Sequence, residues 1–96
     1  MLVLITYDVS TISVGGKKRL RRVSKKCLDY GQRVQNSVFE CVIDSTQFKQ
    51  LKYQLEDIIN KETDSLRFYN LGNNYKTKVD HIGAKESFDM EETLII

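Results

Sequence analysis

Ninety-six residues, 41% hydrophobic and 29% charged with a net charge of +2, make one globular domain and leave no room for a second. A chain this short buries roughly 60–65% of its unfolded surface, so its core is modest and association with a second copy would help it. The composition argues against a disulfide-stapled fold, a zinc site and a membrane span. Cys27 and Cys41 stand apart in apolar surroundings and read as two reduced, buried thiols, and the apolar start is seven residues long with no basic leader. The expected setting is cytoplasmic, without membrane contact.

Residues 2–8 read as a central strand. Leu2 and Leu4 are apolar on one face, Val3, Ile5 and Tyr7 on the other, so both faces expect a cover. Asp8 ends this strand. A carboxylate on the end of a rigid strand can cap the loop that follows, or it can serve as a catalytic or metal-binding acid; the residues alone leave both open. Residues 9–14 form a loop leading to Gly15-Gly16, where a plain turn is favoured over a phosphate cradle because no Gly-rich fingerprint or Walker pattern is present.

Residues 17–30 read as an amphipathic helix with Leu20, Val23, Cys27 and Tyr30 as its apolar stripe and Gly31 as its C′ stop. From Lys17 to Lys26, seven of ten residues are Lys or Arg. Lys18, Arg22 and Lys25 point away from the stripe, with Lys17 and Arg21 on one flank and Arg19 and Lys26 on the other. Like charges spaced i,i+4 destabilise a helix by a few tenths of a kcal/mol per pair. A helix that accepts several such pairs is better explained by a polyanion partner than by a solvated face.

Arg33-Val34-Gln35 and residues 38–43 read as two strands about a turn at Asn36-Ser37. Asp44 caps a second helix over 45–59, with Gln47 completing a capping box and Phe48, Leu51, Leu55, Ile58 and Ile59 facing the core. The outer face of this helix is mixed in sign, so only the first helix is polarised. Residues 65–71 form another strand, Gly72-Asn73-Asn74 a turn, and residues 77–82 a further strand ended by Gly83. An acidic segment, 85–92, precedes the apolar tip Thr93-Leu94-Ile95-Ile96. His81 is the only histidine and reads as a structural or surface residue.

The order β-α-β-β-α-β with a β-rich tail predicts an α+β, ferredoxin-like domain over residues 1–83 with an extra C-terminal β segment over 84–96. Such a fold places both helices on one sheet face. The apolar character of the other face predicts a homodimer packed sheet to sheet, with the C-terminal strand docking on the partner's sheet. Two copies of Asp8 near a two-fold axis would offer Mg²⁺ two carboxylates where one chain offers one.

The segments Leu4-Ile5-Thr6-Tyr7-Asp8-Val9, Lys17-Lys18-Arg19-Leu20, Arg33-Val34-Gln35-Asn36-Ser37-Val38-Phe39-Glu40 and Leu66-Arg67-Phe68-Tyr69, with the later Gly83, resemble the CRISPR-associated protein 2 family over nearly the full chain. The resemblance implies a small dimeric protein that acts in spacer acquisition, bridging dimers of the CRISPR integrase. It also implies a nuclease that depends on Mg²⁺, or on Mn²⁺ in its place, with Asp8 as the catalytic and metal-binding acid. Tyr7 and Phe39 would support that site, and Lys17, Lys18, Arg19, Arg22 and Arg33 would hold nucleic acid. The polarised helix favours double-stranded DNA over single-stranded RNA. A non-catalytic adaptor that binds duplex DNA is the alternative, and a toxin-type ribonuclease of related small folds the third.

Overall fold

A computed structural model describes residues 1–10 and 12–83. Its elements are β1 (Leu2–Asp8), α1 (Gly16–Leu28), β2 (Gly31–Gln35), β3 (Val38–Val42), α2 (Ser45–Ile58), β4 (Ser65–Gly72) and a 3₁₀ turn at Tyr75–Thr77. The four strands form one antiparallel sheet in the order β2-β3-β1-β4, which is the predicted ferredoxin-like topology. The most apolar strand, β1, takes a central place because it is the one that can be covered on both faces.

Both helices lie on one face. Val3, Ile5 and Tyr7 of β1 and Phe39 and Cys41 of β3 meet Val23 and Cys27 of α1 and Leu51 and Leu55 of α2, all nearly inaccessible. Removing this much aliphatic and aromatic surface from water, at about 25 cal/mol per Å², is the main term holding the domain together. Asp44 caps α2 as its spacing predicts: its carboxylate accepts from the Gln47 amide at 2.7 Å, and the Gln47 side chain accepts from the Asp44 amide at 3.0 Å. Among the described residues, no helix is long and apolar enough to cross a membrane.

The other sheet face carries Leu2, Leu4, Thr6 and Asp8 of β1, opposite Val38, Glu40 and Val42 of β3 and Arg67 and Tyr69 of β4. Its upper end is covered by this chain itself, because Tyr75 of the 3₁₀ turn packs on Leu2 with Val42 and Leu71 around it. Of the rest, Leu4, Thr6, Val38 and Glu40 are half-buried, and Asp8, Arg67 and Tyr69 are exposed.

Two expectations are corrected. The strand expected over residues 77–82 does not form. The chain instead turns at Tyr75–Thr77, Lys78 donates from its backbone to the Tyr75 carbonyl and from Nζ to the Leu71 carbonyl, and Val79 and Ile82 stay exposed. Burying Tyr75 against Leu2 draws the segment over the sheet and away from the ladder alongside β4. Gly31 is not the C′ stop of α1. That helix ends at Leu28, with Asp29 in a right-handed conformation as its C-cap, and Gly31 opens β2. A Cβ there would stand 2.1 Å from the Glu40 carbonyl oxygen, so the glycine serves close approach of β2 to β3. The predicted tail over 84–96 lies outside the described residues.

Candidate active site and nucleic-acid interface

Asp8 is the last residue of β1 and pairs with Ser65 of β4. Strand alternation sends it to the face without helices, and it is exposed. Among the described residues its carboxylate has no hydrogen-bond or ion-pair partner, so the loop-capping reading gains no contact there. Also among the described residues, no three His, Cys, Asp or Glu side chains gather as a metal-binding group. At the end of β1, Asp8 is thus one carboxylate without acidic company among the described residues, and the further oxygen ligands of a divalent ion would come from water, substrate phosphate or a second copy of the chain.

The loop after Asp8 is shaped by its two glycines. Gly15 has φ 77°, a left-handed conformation that favours glycine. At Gly16 an added Cβ would fall 2.1 Å from the Ser10 carbonyl oxygen, so the loop folds back on itself there. This is the plain turn expected of the pair. It launches α1 with no side-chain cap and no acid in the first turn. Lys17, Lys18, Arg21, Arg22 and Lys25 are all exposed along the helix, as the periodicity requires. Cations in the first turn oppose the positive end of the helix dipole, so this arrangement is one that phosphate would stabilise.

Arg19 behaves differently from its neighbours. Its Nε donates to Asp64 Oδ2 at 2.8 Å and its Nη2 to Asp64 Oδ1 at 3.2 Å, a bidentate pair with the Arg19 side chain 14% exposed and that of Asp64 fully buried. Nη1 donates to the Val14 carbonyl at 2.9 Å and Nη2 also to Ser13 Oγ at 3.0 Å. Asp64 further accepts from Tyr7 Oη at 2.5 Å, the Asn60 amide at 3.0 Å and Thr63 Oγ1 at 3.1 Å. Burial pushes the Asp64 carboxyl up, but the hydrogen bonds from Arg19, Tyr7, Asn60 and Thr63 together outweigh it and hold the group at about 2. Burial, and then the hydrogen bond to this anion, push the Tyr7 phenol up to about 12.

The expected site residues therefore divide between two faces of the sheet. Asp8 stands on the open face. Tyr7 points the other way and braces the strand from behind through Asp64. Arg33 lies over the ring of Phe39, 5.5 Å from its centroid, and Phe39 is buried in the helix-side core. Neither Tyr7 nor Phe39 shares a face with the Asp8 carboxylate. Sequence reasoning missed Asp64, which sits in the polar stretch Asn60–Asp64 where nothing local marks it. The one available signal was the position of Arg19: at about 100° per residue it lies about 40° from Val23, on the edge of the apolar stripe.

The family model for CRISPR associated protein Cas2 matches residues 1–79. The CRISPR-associated endonuclease Cas2 of Halalkalibacterium halodurans is 68% identical over 95 residues, covering 99% of each chain, and the CRISPR-associated endoribonuclease Cas2 of Nitratidesulfovibrio vulgaris is 57% identical, covering 100% of this chain and 94% of its own. The crystal structure of Streptococcus pyogenes Cas2 at pH 6.5 is similar with a TM-score of 0.78 at 54% identity, covering 86% of this chain and 100% of that one. A chain of a partial Cas6-RT-Cas1–Cas2 complex is similar at 0.62 and 32% identity, covering 84% of this chain and 88% of its own. The sheet order and these matches agree, and the chain belongs to the CRISPR associated protein Cas2 family.

Proposed function

We propose that the chain is a homodimeric subunit of the CRISPR adaptation machinery and a Mg²⁺- or Mn²⁺-dependent endonuclease that acts on double-stranded DNA. The observation that carries this reading is the Asp8 carboxylate, exposed and unpaired among the described residues, on the end of a central strand and on the sheet face that no helix covers. Leu4 and Val38 on that face are half-buried in a single chain, and Tyr69 is exposed. Packing two such faces together would cover them and bring a second Asp8 to the site.

The donor set fits a hard divalent cation best in that paired form, since two carboxylates with water match its preference for oxygen better than one does. When bound, such an ion would polarise a phosphoryl oxygen and lower the pKa of a water molecule. The chain's own part is to present Asp8 on rigid backbone and to hold the phosphate chain with Lys17, Lys18, Arg21, Arg22 and Lys25 along α1. Their exposure supports a backbone-reading role and favours duplex DNA over single-stranded RNA, because no aromatic side chain is interleaved with them for base stacking. Relatives are named both endonuclease and endoribonuclease, so the direct test uses both substrates. Purified Asp8→Asn protein should stay dimeric, bind duplex DNA as before and lose cleavage in Mg²⁺. Undiminished cleavage by that variant would sink the proposal.

A second reading is a non-catalytic adaptor that spaces integrase subunits around a duplex. It is favoured by the lack of a metal-ligand cluster around Asp8 among the described residues and by the likeness to a chain from a complex that contains Cas1. Spacer acquisition in cells carrying Asp8→Asn separates the two: retained acquisition makes the adaptor role sufficient, and lost acquisition with an intact complex makes the carboxylate essential.

A further inference from the structure

The positive charge of α1 is not all available to a phosphate chain. Lys17, Lys18, Arg21, Arg22 and Lys25 are exposed, whereas every nitrogen of the Arg19 guanidinium is engaged within the protein. The groups it touches come from segments far apart in sequence. Asp64 lies 45 residues along the chain in the α2–β4 turn, which is itself tied by the Thr63 and Asp64 amides donating to the Asn60 carbonyl and by the Asn60 amide donating to the Asp64 carboxylate. Tyr7 lies at the end of β1, beside Asp8. Ser13 and Val14 lie in the loop between Asp8 and α1, where Ser13 Oγ donates to the Ser10 carbonyl at 2.6 Å while accepting from Arg19.

We propose that Asp64 is a positioning residue for the nucleic-acid-binding surface: it holds Arg19 inward as a strut beneath the β1–α1 loop, so that Arg19 sets where Lys17 and Lys18 stand relative to Asp8 and does not itself contact phosphate. The inference rests on the reading of α1 as a phosphate-binding face. Two features of the geometry support it. A bidentate pair with a fully buried carboxylate is stronger than a contact with a solvated phosphate, so a passing duplex does not extract Arg19. The described residues of the loop also have no regular strand or helix pairing. It is held by the Ser13 and Gly16 amides on the Ser10 and Ser13 carbonyls, and Arg19 supplies the link from it to the rest of the domain.

The test is the salt dependence of binding to a short blunt-ended duplex between about 50 and 200 mM salt, where each lost phosphate contact lowers the log–log slope by about 0.9. Arg22→Gln is expected to lower the slope by about that amount per engaged protomer. Arg19→Gln is expected to leave the slope unchanged while exchange of the Ser13 and Gly16 amides speeds up at least tenfold. Asp64→Asn frees Arg19 to swing outward and is expected to steepen the slope by about 0.9 per engaged protomer, and adding Arg19→Gln to it should restore the original slope. A merely structural role for Asp64 would change stability without this gain and its reversal. An Arg19→Gln slope that falls as far as that of Arg22→Gln overturns the proposal, as does an Asp64→Asn slope that stays put. If Arg22→Gln and Lys18→Gln are both flat, the reading of α1 as the interface fails separately. The strut is then judged by the loop alone, and unchanged exchange in Arg19→Gln overturns it.

Discussion

Replacing Asp64 by Asn removes one charge and little volume, and its cost can be worked out from the environment of the carboxylate. The group ionises at about 2 in the folded protein against an ordinary value of 3.8. At about 1.4 kcal/mol per pH unit, the difference is worth about 2–3 kcal/mol. Because the folded-state value is depressed, the unfolded chain takes up the proton first. The stabilisation is complete above about pH 4 and is lost as pH falls from there through about 2. Asn resembles the protonated acid in charge, so Asp64→Asn should cost about 2–3 kcal/mol at pH 7. For a domain of this size that is a fall of roughly 10–20 °C in Tm. Urea unfolding followed by circular dichroism, with both proteins at one concentration so that any association cancels, should show this gap at pH 7 and at pH 5. It should close progressively below pH 4. A gap that remains constant down to about pH 2 would refute the assignment of the stabilisation to the ionised carboxylate.

Two further outcomes follow from buried groups. Gly31→Ala sets a methyl 2.1 Å from the Glu40 carbonyl oxygen and 2.7 Å from Cys41 Cα; it should destabilise the domain by about 1–3 kcal/mol, measured as a lower urea midpoint with an unchanged m-value, and a neutral result would mean that β2 moves aside freely. Burial pushes the thiols of Cys27 and Cys41 up to about 12, so neither should react with a thiol reagent at pH 8 in the folded protein, while both should react promptly in denaturant; prompt labelling without denaturant would contradict the packing of α1 on β3.

Much of the fold was legible because single segments carry their own instructions. β1 announces itself by an unbroken apolar run, α1 by its stripe and α2 by the Asp44–Gln47 reciprocity, and each of these signals is complete within a few residues. Asp8 was legible as a candidate for the same reason, since alternation alone sends it to the face opposite Val3, Ile5 and Tyr7. The features that escaped are those decided between segments. Arg19 looks like one more cation until Asp64 is placed beside it, and Asp64 looks like one more loop acid until Tyr7 and Arg19 converge on it. Gly31 sits where a helix stop belongs, yet its reason lies across the strand pair at Glu40. The alternation over residues 77–82 is a local β signal that lost to a tertiary contact, Tyr75 on Leu2.

The central place of β1 also bears on how the chain is made. The first strand to be synthesised pairs on one edge with β3 and on the other with β4, and the bond from Tyr7 to Asp64 spans 57 residues. At roughly 5–20 residues per second, a ribosome needs roughly 3–11 s between those two residues. During that interval the most apolar strand of the protein can be joined by β3 but has one edge unpaired, the state most prone to wrong pairing with another nascent chain. The network that fixes the loop beside Asp8 therefore cannot close until Asp64 has emerged, and the loop and the start of α1 take their final form only after about two-thirds of the chain has been translated.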